Sequence, residues 1–231
     1  MIKPHYIDAY QFDDFTMDNG QILTFSGCEI DVDNDGYGVQ VDTGDTLSFV
    51  PHGQLDMVSG AITLKMKTIG TPDAYALLLH DGGTTHFELL RGNSDTIIQF
   101  YLNGTLRGFT STPNIWDGEL HTITIGWFGS SCRLLVDETY DTISANARSN
   151  VAITSPIQIG SGSSGTQYTS SKFYEMIIHN DYDAENMVKI HNDTSLAYIE
   201  EEEDYEDALY EGVFLSSIST FHHHYSTQGI N

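Results

Sequence analysis

At 231 residues the chain can bury a complete core, and all-β sandwiches of this length fold as one main domain. It carries 33 acidic residues against 9 basic ones, a formal net charge of −24, so its surface repels phosphate backbones and anionic lipid. Nucleic-acid binding and membrane-surface attachment are thereby disfavoured, while cation binding, docking onto a basic partner and plain solvation in a salty medium stay open. The 13 Tyr and 11 Phe, beside only 5 Pro, suit strands joined by tight turns.

The N-terminal MIKPHYIDAYQFDDF has no basic stretch followed by an apolar one, which predicts the absence of a signal peptide. No apolar run is long enough to span a bilayer as a helix. The expectation is a protein made in a cytoplasm without membrane insertion. Cys28 and Cys132 are far apart and no Cys-x-x-Cys pair occurs, which excludes a zinc ribbon or a thioredoxin-type site. Two unbridged thiols are expected, at least one of them buried.

Strand patterns then follow one another along the chain. In Ala61–Thr68, Ile62, Leu64 and Met66 alternate with Thr63, Lys65 and Lys67, as in a strand buried on one face. Tyr75–His80 and His86–Arg91 flank Asp81-Gly82-Gly83, a hairpin signal, and Thr96–Leu102 leads through Asn103-Gly104 into Thr105–Thr110, a second one. His121, Ile123 and Ile125 alternate with Thr122 and Thr124, and a turn at Gly129-Ser130-Ser131 leads to CRLLVDE. Pro156–Ser161 and Lys172–His179 give two more strands around a Gly/Ser-rich loop. One short helix is predicted over AENMVKIHN, capped by Asp183, with Met187, Ile190 and His191 on one face.

Composition shifts after Asn192. Between Asp193 and Asn231 there are nine acidic residues and no Lys or Arg, then an apolar strand-like segment, Val213–Phe221, and HHHYSTQGIN. Residues 1–192 are therefore read as the sandwich and 193–231 as an acidic C-terminal extension. A strand outside the main sheets has to pair with this domain's edge or with a neighbouring chain.

From about Ala9 to Asn192 the order of these elements resembles the concanavalin A-like, or laminin G-like, jelly-roll superfamily. AYQFDD is similar to its first strand, and GDTLSFVPHGQLDMVSGAITLKMKT to its strand, short loop and central strand. WDGELHTITIGWFGSSCRLLVDE is similar to its most characteristic hairpin, and IQIGSGSSG with KFYEMIIHN to its closing section. Leu120 stands where an aromatic is usual and Glu138 where a Gly is usual. The resemblance implies an all-β fold, a two-sheet antiparallel jelly-roll sandwich with one short helix. The superfamily holds lectins, adhesion modules, glucanases and viral surface proteins, so function has to come from a site.

Asp31, Asp33, Asp35 and Asp42, with Gly36, reproduce the acidic spacing of a calcium loop: oxygen donors at positions one, three, five and twelve and the turn glycine at six. The flanks read as strands, and Gly38 stands where an apolar residue is usual, so the opposing reading is a solvated acidic turn. Glycoside hydrolases of this superfamily carry acids on alternate positions of one strand. Glu202, Asp204 and Glu206 match only within the acidic extension, where such spacing arises by chance. His222, His223 and His224 are adjacent and cannot all converge from a strand. His121 is read as a core histidine with a satisfied hydrogen bond. Trp116, Trp127, Tyr168 and Tyr101 are the aromatics that could stack on a sugar. Trp127 is assigned to the core, leaving Trp116 and Tyr168, both in loops, as the candidate ligand-binding residues.

No catalytic set emerges, and a non-catalytic binding or structural protein is expected. The leading expectation is a virion component (a capsid decoration, head fibre or tail protein) that oligomerises or docks on other subunits through residues 193–231. The alternative is a lectin that binds cell-surface glycan at the sandwich rim, assisted by Ca²⁺ at the four aspartates. A glycoside hydrolase is a distant third.

Overall fold

Alternating patterns along the chain become two stacked antiparallel sheets. The computed structural model describes residues 7–11, 23–50, 59–81, 87–102, 105–106, 109–110, 112–128, 131–137, 140–145, 156–160, 170–179 and 182–194. The first eight strands are β1 (Ile7–Gln11), β2 (Thr24–Ser26), β3 (Glu29–Asp33), β4 (Gly36–Val41), β5 (Thr46–Phe49), β6 (Ser59–Thr68), β7 (Leu77–His80) and β8 (Phe87–Arg91). There follow β9 (Ile97–Leu102), β10 (Thr105–Leu106), β11 (Phe109–Thr110), β12 (His121–Phe128), β13 (Ser131–Val136), β14 (Tyr140–Ala145), β15 (Ile157–Ile159) and β16 (Ser171–His179), then helix α1 (Ala184–Asn192). Sheet I runs β14-β13-β12-β6-β16-β4-β3, with β1 also on β16. Sheet II runs β10-β9-β8-β7-β15-β5-β2, with β11 on β9.

The chain separates into Met1–Ala197 and Tyr198–Asn231, and every described residue belongs to the first unit. The extension expected over 193–231 lies, beyond Thr194, outside the described residues. So do Glu202, Asp204, Glu206 and the histidine triplet.

Alternation sets which side chains meet between the sheets. On β6, Ile62, Leu64 and Met66 point into the core, opposite Ile125, Ile123 and His121 of β12 in the register. Sheet II contributes Leu47, Leu79, Phe87, Leu89, Phe100 and Ile159 to the same cluster. Trp127 from sheet I meets Phe87 and Phe100 from sheet II at ring-centroid distances of 5.5 and 5.9 Å. The Phe87 contact is edge-on and the Phe100 contact tilted, and both add to the burial of large apolar area. Room for the indole comes from Gly60, where a Cβ would lie 2.7 Å from Trp127 Cζ2.

Helix α1 lies on the outer face of sheet I. Its N-cap is Asp183, whose Oδ1 accepts from the Glu185 and Asn186 backbone N–H groups at 2.9 and 3.2 Å. Met187 packs with Ala61 and Leu135, flanked by Tyr182 and Val188. Close approach depends on Gly126 of β12, where a Cβ would lie 2.7 Å from Met187 Sδ. Beneath the helix runs a chain of buried polar contacts. His191 Nε2 donates to the Asp137 carbonyl at 2.7 Å, while its Nδ1 lies 2.9 Å from Thr124 Oγ1. Thr124 in turn is 2.7 Å from Thr63 Oγ1.

Several bounds differ from the sequence-based expectation. Tyr75, expected within a strand, has φ +62 and belongs to the turn before β7, its N–H reaching the Gly92 carbonyl. The segment expected as one strand over Thr105–Thr110 is two short strands, both paired with β9. Strand β14, paired along all of β13, was not anticipated. No disulfide joins Cys28 and Cys132. Burial, with the Asp45 charge, pushes the Cys28 thiol up to about 11. Among the described residues no helix is long and apolar enough to cross a membrane.

Candidate functional site

The two outer faces of the sandwich differ in chemistry. On sheet I, beside the helix, cations and anions of the chain satisfy one another. Lys65 pairs with Glu175 at 3.3 Å, and Lys67 with Asp33 and Asp35 at 2.5 and 2.8 Å. Lys172 is 1% exposed and pairs with Asp31 and Asp33, both at 3.2 Å. A bulge between Phe173 and Glu175 accommodates Tyr174, whose hydroxyl donates to Asp33 Oδ2 at 2.7 Å. The Lys67 and Lys172 ammonium groups lie 5.6 and 5.5 Å from the Tyr174 ring centroid. For Asp33, burial opposes ionisation, yet the hydrogen bonds from Lys67 and Tyr174 prevail and hold its carboxyl well below the usual range.

This arrangement corrects the calcium-loop expectation. Asp31 and Asp33 are on β3, and Asp35 is in the turn between β3 and β4, where Asp33 pairs directly with Gly36. Two residues of turn leave no loop to wrap a cation, and lysines of the same chain already neutralise the three carboxylates. Asp42 is elsewhere: it lies four residues beyond Gly38, the partner of Asp31, roughly 13 Å along the strand. Its Oδ2 accepts from Gln40 Nε2 at 2.7 Å. Among the described residues, no group of three or more His, Cys, Asp or Glu side chains is placed to hold a metal ion.

The aromatic expectations also divide. Trp116 is 5% exposed and packs in the core cluster, so it presents no face to a ligand. Tyr168 lies outside the described residues. His121 is buried, its Nδ1 2.8 Å from Asp137 Oδ2 and its Nε2 2.9 Å from Asp117 Oδ1. Burial works against its protonation, but Asp137 and Asp117 outweigh it and raise the imidazole above 6.5. Both ring nitrogens are thus occupied by carboxylates, which suits a structural clamp.

Sheet II presents a different outer face. The register aligns Thr24, Ser48, Gln158, His80, Glu88 and Tyr101 in one row across β2, β5, β15, β7, β8 and β9. With ~4.8 Å between strands, five gaps make a strip about 24 Å long. Ser48 and His80 within it are buried, so the groups that reach solvent are the Thr24 hydroxyl, the Gln158 amide, the Glu88 carboxyl and the Tyr101 phenol. In the adjacent row, Gln99 pairs with the buried Leu90. Gln158, Glu88, Gln99 and Tyr101 are half-buried, recessed but in contact with solvent. Gln99 Oε1 is a buried acceptor with no hydrogen-bond partner among the described residues. Burial, then the nearby Asp81 charge, raises the Glu88 carboxyl above 4.5. A ligand with many hydroxyl groups could donate to the glutamate and to Gln99 Oε1, and accept from the glutamine amides and from Tyr101.

Of these, only Tyr101 was among the aromatics singled out in the sequence. Each other member is a polar residue flanked by apolar ones in its strand or at its end, as in TLSF, IQI and FELLR. That pattern was the available signal, but only the register aligns them.

No protein-family model matches the chain, and no curated protein matches it in sequence. Solved structures do match in fold, and they define the class: β-sandwich domains of the jelly-roll type. Domain 4 of AbnA, a GH43 extracellular arabinanase from Geobacillus stearothermophilus, in complex with arabinotriose, superposes with a TM-score of 0.64 at 11% identity. That match covers 80% of this chain and 96% of that one. The binding domain of Paraclostridial Mosquitocidal Protein 1 gives 0.62 at 11% identity, over 81% of this chain and 51% of that one. The binding domain of botulinum neurotoxin DC in complex with SialylT gives 0.58 at 6% identity, over 80% and 50%. The chain thus spans about half the length of the toxin domains, and at these identities the likeness establishes the fold alone.

Proposed function

We propose that this protein is a non-catalytic glycan-binding module whose binding surface is the outer face of sheet II. The observation that carries the reading is the solvent-reaching set Gln158, Glu88 and Tyr101, aligned by register on either side of the buried His80, beside the unsatisfied acceptor of Gln99. Sugars offer a donor and an acceptor at nearly every carbon, so they suit a strip of mixed donors and acceptors better than an apolar ligand does. The stretch from Gln158 to Tyr101 crosses three strand gaps, about 14 Å, longer than a single sugar ring. Support also comes from the arabinanase domain, solved in complex with arabinotriose, and the neurotoxin domain, solved in complex with SialylT.

The virion reading, with assembly through residues 193–231, concerns a segment that beyond Thr194 lies outside the described residues, and the comparisons favour glycan binding over it. The two are compatible, since a virion protein can bind cell-surface sugars.

A glycan-array screen of the full chain tests the proposal, followed by titration of the best binder. Gln158→Ala and Tyr101→Ala are each expected to weaken binding about tenfold, the worth of one or two hydrogen bonds. A Lys189→Ala control, on the exposed side of α1, should leave it unchanged. Absence of selective binding overturns the reading. Undiminished binding in both sheet II variants overturns this location for it.

A further inference from the structure

We infer that, apart from any glycan site on sheet II, the open edge of β3 takes an extended segment of a basic partner protein, one that alternates apolar residues with Lys or Arg. Among the described residues, β3 ends sheet I, with β4 beside it. Asp33 and Gly36 flank a two-residue turn and pair with each other, so they exchange backbone hydrogen bonds, and the exchange recurs at every second residue. Asp31 and Glu29 therefore bond into β4, whereas Ile30 and Val32 turn their N–H and C=O groups to the open edge. Such an edge is a template for the addition of another strand.

Side chains make the edge selective. Ile30 is opposite the core residue Val39 and Val32 is opposite Tyr37, so all four belong to the inner side of sheet I. Yet Ile30, Val32 and Tyr37 are 38%, 57% and 60% exposed. Being neighbours on paired strands, they make a contiguous apolar strip at the rim of the sandwich, which marks an interaction surface in a way that scattered single residues do not. Glu29, Asp31 and Asp33 alternate with them on the outer side. There Lys67 and Lys172 hold Asp31, Asp33 and Asp35, two ammonium groups for three carboxylates, and the exposed Glu29 adds a fourth. The Asp31 side chain stays 58% exposed despite its ion pair.

A second copy of the chain does not fit this edge. Any antiparallel self-pairing that sets apolar opposite apolar also sets acid opposite acid, because both alternate with a period of two, and like charges directly opposite destabilise a strand pair. The chain's own extension brings nine acidic residues and no Lys or Arg. A strand with Val, Ile or Leu against Ile30 and Val32, and Lys or Arg against Glu29 and Asp31, matches both sides at once. The net charge of −24 draws such a partner toward the molecule.

The probe is a labelled, end-capped synthetic peptide alternating Val and Lys, long enough to cover the five residues of β3, titrated against the full-length protein. Saturable binding of one peptide per chain is expected. Its valines, opposite Ile30 and Val32, would exchange the hydrogen bonds with β3. Methylating the valine backbone nitrogens should therefore weaken binding about tenfold, while methylating the lysine backbone nitrogens, which face away, should change it by less than about twofold. Val32→Asp adds a negative charge but removes an apolar contact, and about a tenfold loss is expected. Diffuse attraction to an acidic surface would instead leave that variant binding as well as the wild type or better. Absence of saturable binding, equal affinity for the two methylated peptides, or undiminished binding by Val32→Asp each overturns the inference. Self-association of the wild type in light scattering, abolished by Val32→Asp, would make a second copy the occupant and overturn it too. If Val32→Asp does not fold, the two methylated peptides still decide on the wild-type protein.

Discussion

His121 sits at the end of the inward row of β12, with a carboxylate on each ring nitrogen. Its proton is held more tightly in the folded chain than in the unfolded one, so its stabilising contribution is complete below about 6.5 and fades as pH rises through the folded titration. Asp117 and Asp137 behave in the opposite sense. Burial resists their ionisation, but bonds from His121 lower both below 3.8, and their contribution is lost as pH falls through those depressed values. The clamp is therefore strongest in mildly acidic solution, between the carboxylate and imidazole ranges. In thermal melts, His121→Gln should cost most stability there, and the gap to wild type should shrink toward alkaline pH. A gap independent of pH would show that packing alone makes His121 matter. The sequence identified this residue as a satisfied core histidine. It did not show both partners, because Asp117 and Asp137 flank β12 and β13 and meet the ring only when those strands pair.

Elements show the same division. Helix α1 was legible to its bounds, because its cap, its acidic first turn and its apolar face are all local. Asp183→Ala removes the acceptor for two N–H groups and is expected to cost about 1 kcal/mol in denaturant unfolding, with Asp183→Asn close to neutral. The β3–β4 hairpin was legible as strands and misread as a cation site. Ligand spacing is a property of the local sequence, but what neutralises those aspartates arrives from β6 and β16, in the persons of Lys67 and Lys172. Trp116 was misread for a related reason: a turn beside Asp117-Gly118 suggests exposure, and only packing against the core shows the indole buried.

At the scale of the molecule, the two sheets bury one continuous core, and its members end with Ile178. Deleting Tyr198–Asn231 is expected to leave circular dichroism and cooperative unfolding intact, with the melting temperature moved by a few degrees at most, since that core lies wholly before the cut. If assembly runs through the extension, light scattering on the truncated protein will also show lost self-association. A truncated chain that keeps its full-length mass distribution would place any interface on the sandwich.

The sequence by itself determined the all-β class, nearly every strand, the helix and its cap, and a surface charge that repels anions. Each of these depends on alternation, turn chemistry or composition, which act over a few residues or over the whole chain at once. Tertiary structure alone decided where polar groups converge. Ser48, Gln158, His80, Glu88 and Tyr101 are spread over more than a hundred residues and come into one row through strand register. Register is set by long-range pairing and by which face of each strand meets the core, so the row exists only once both sheets have formed.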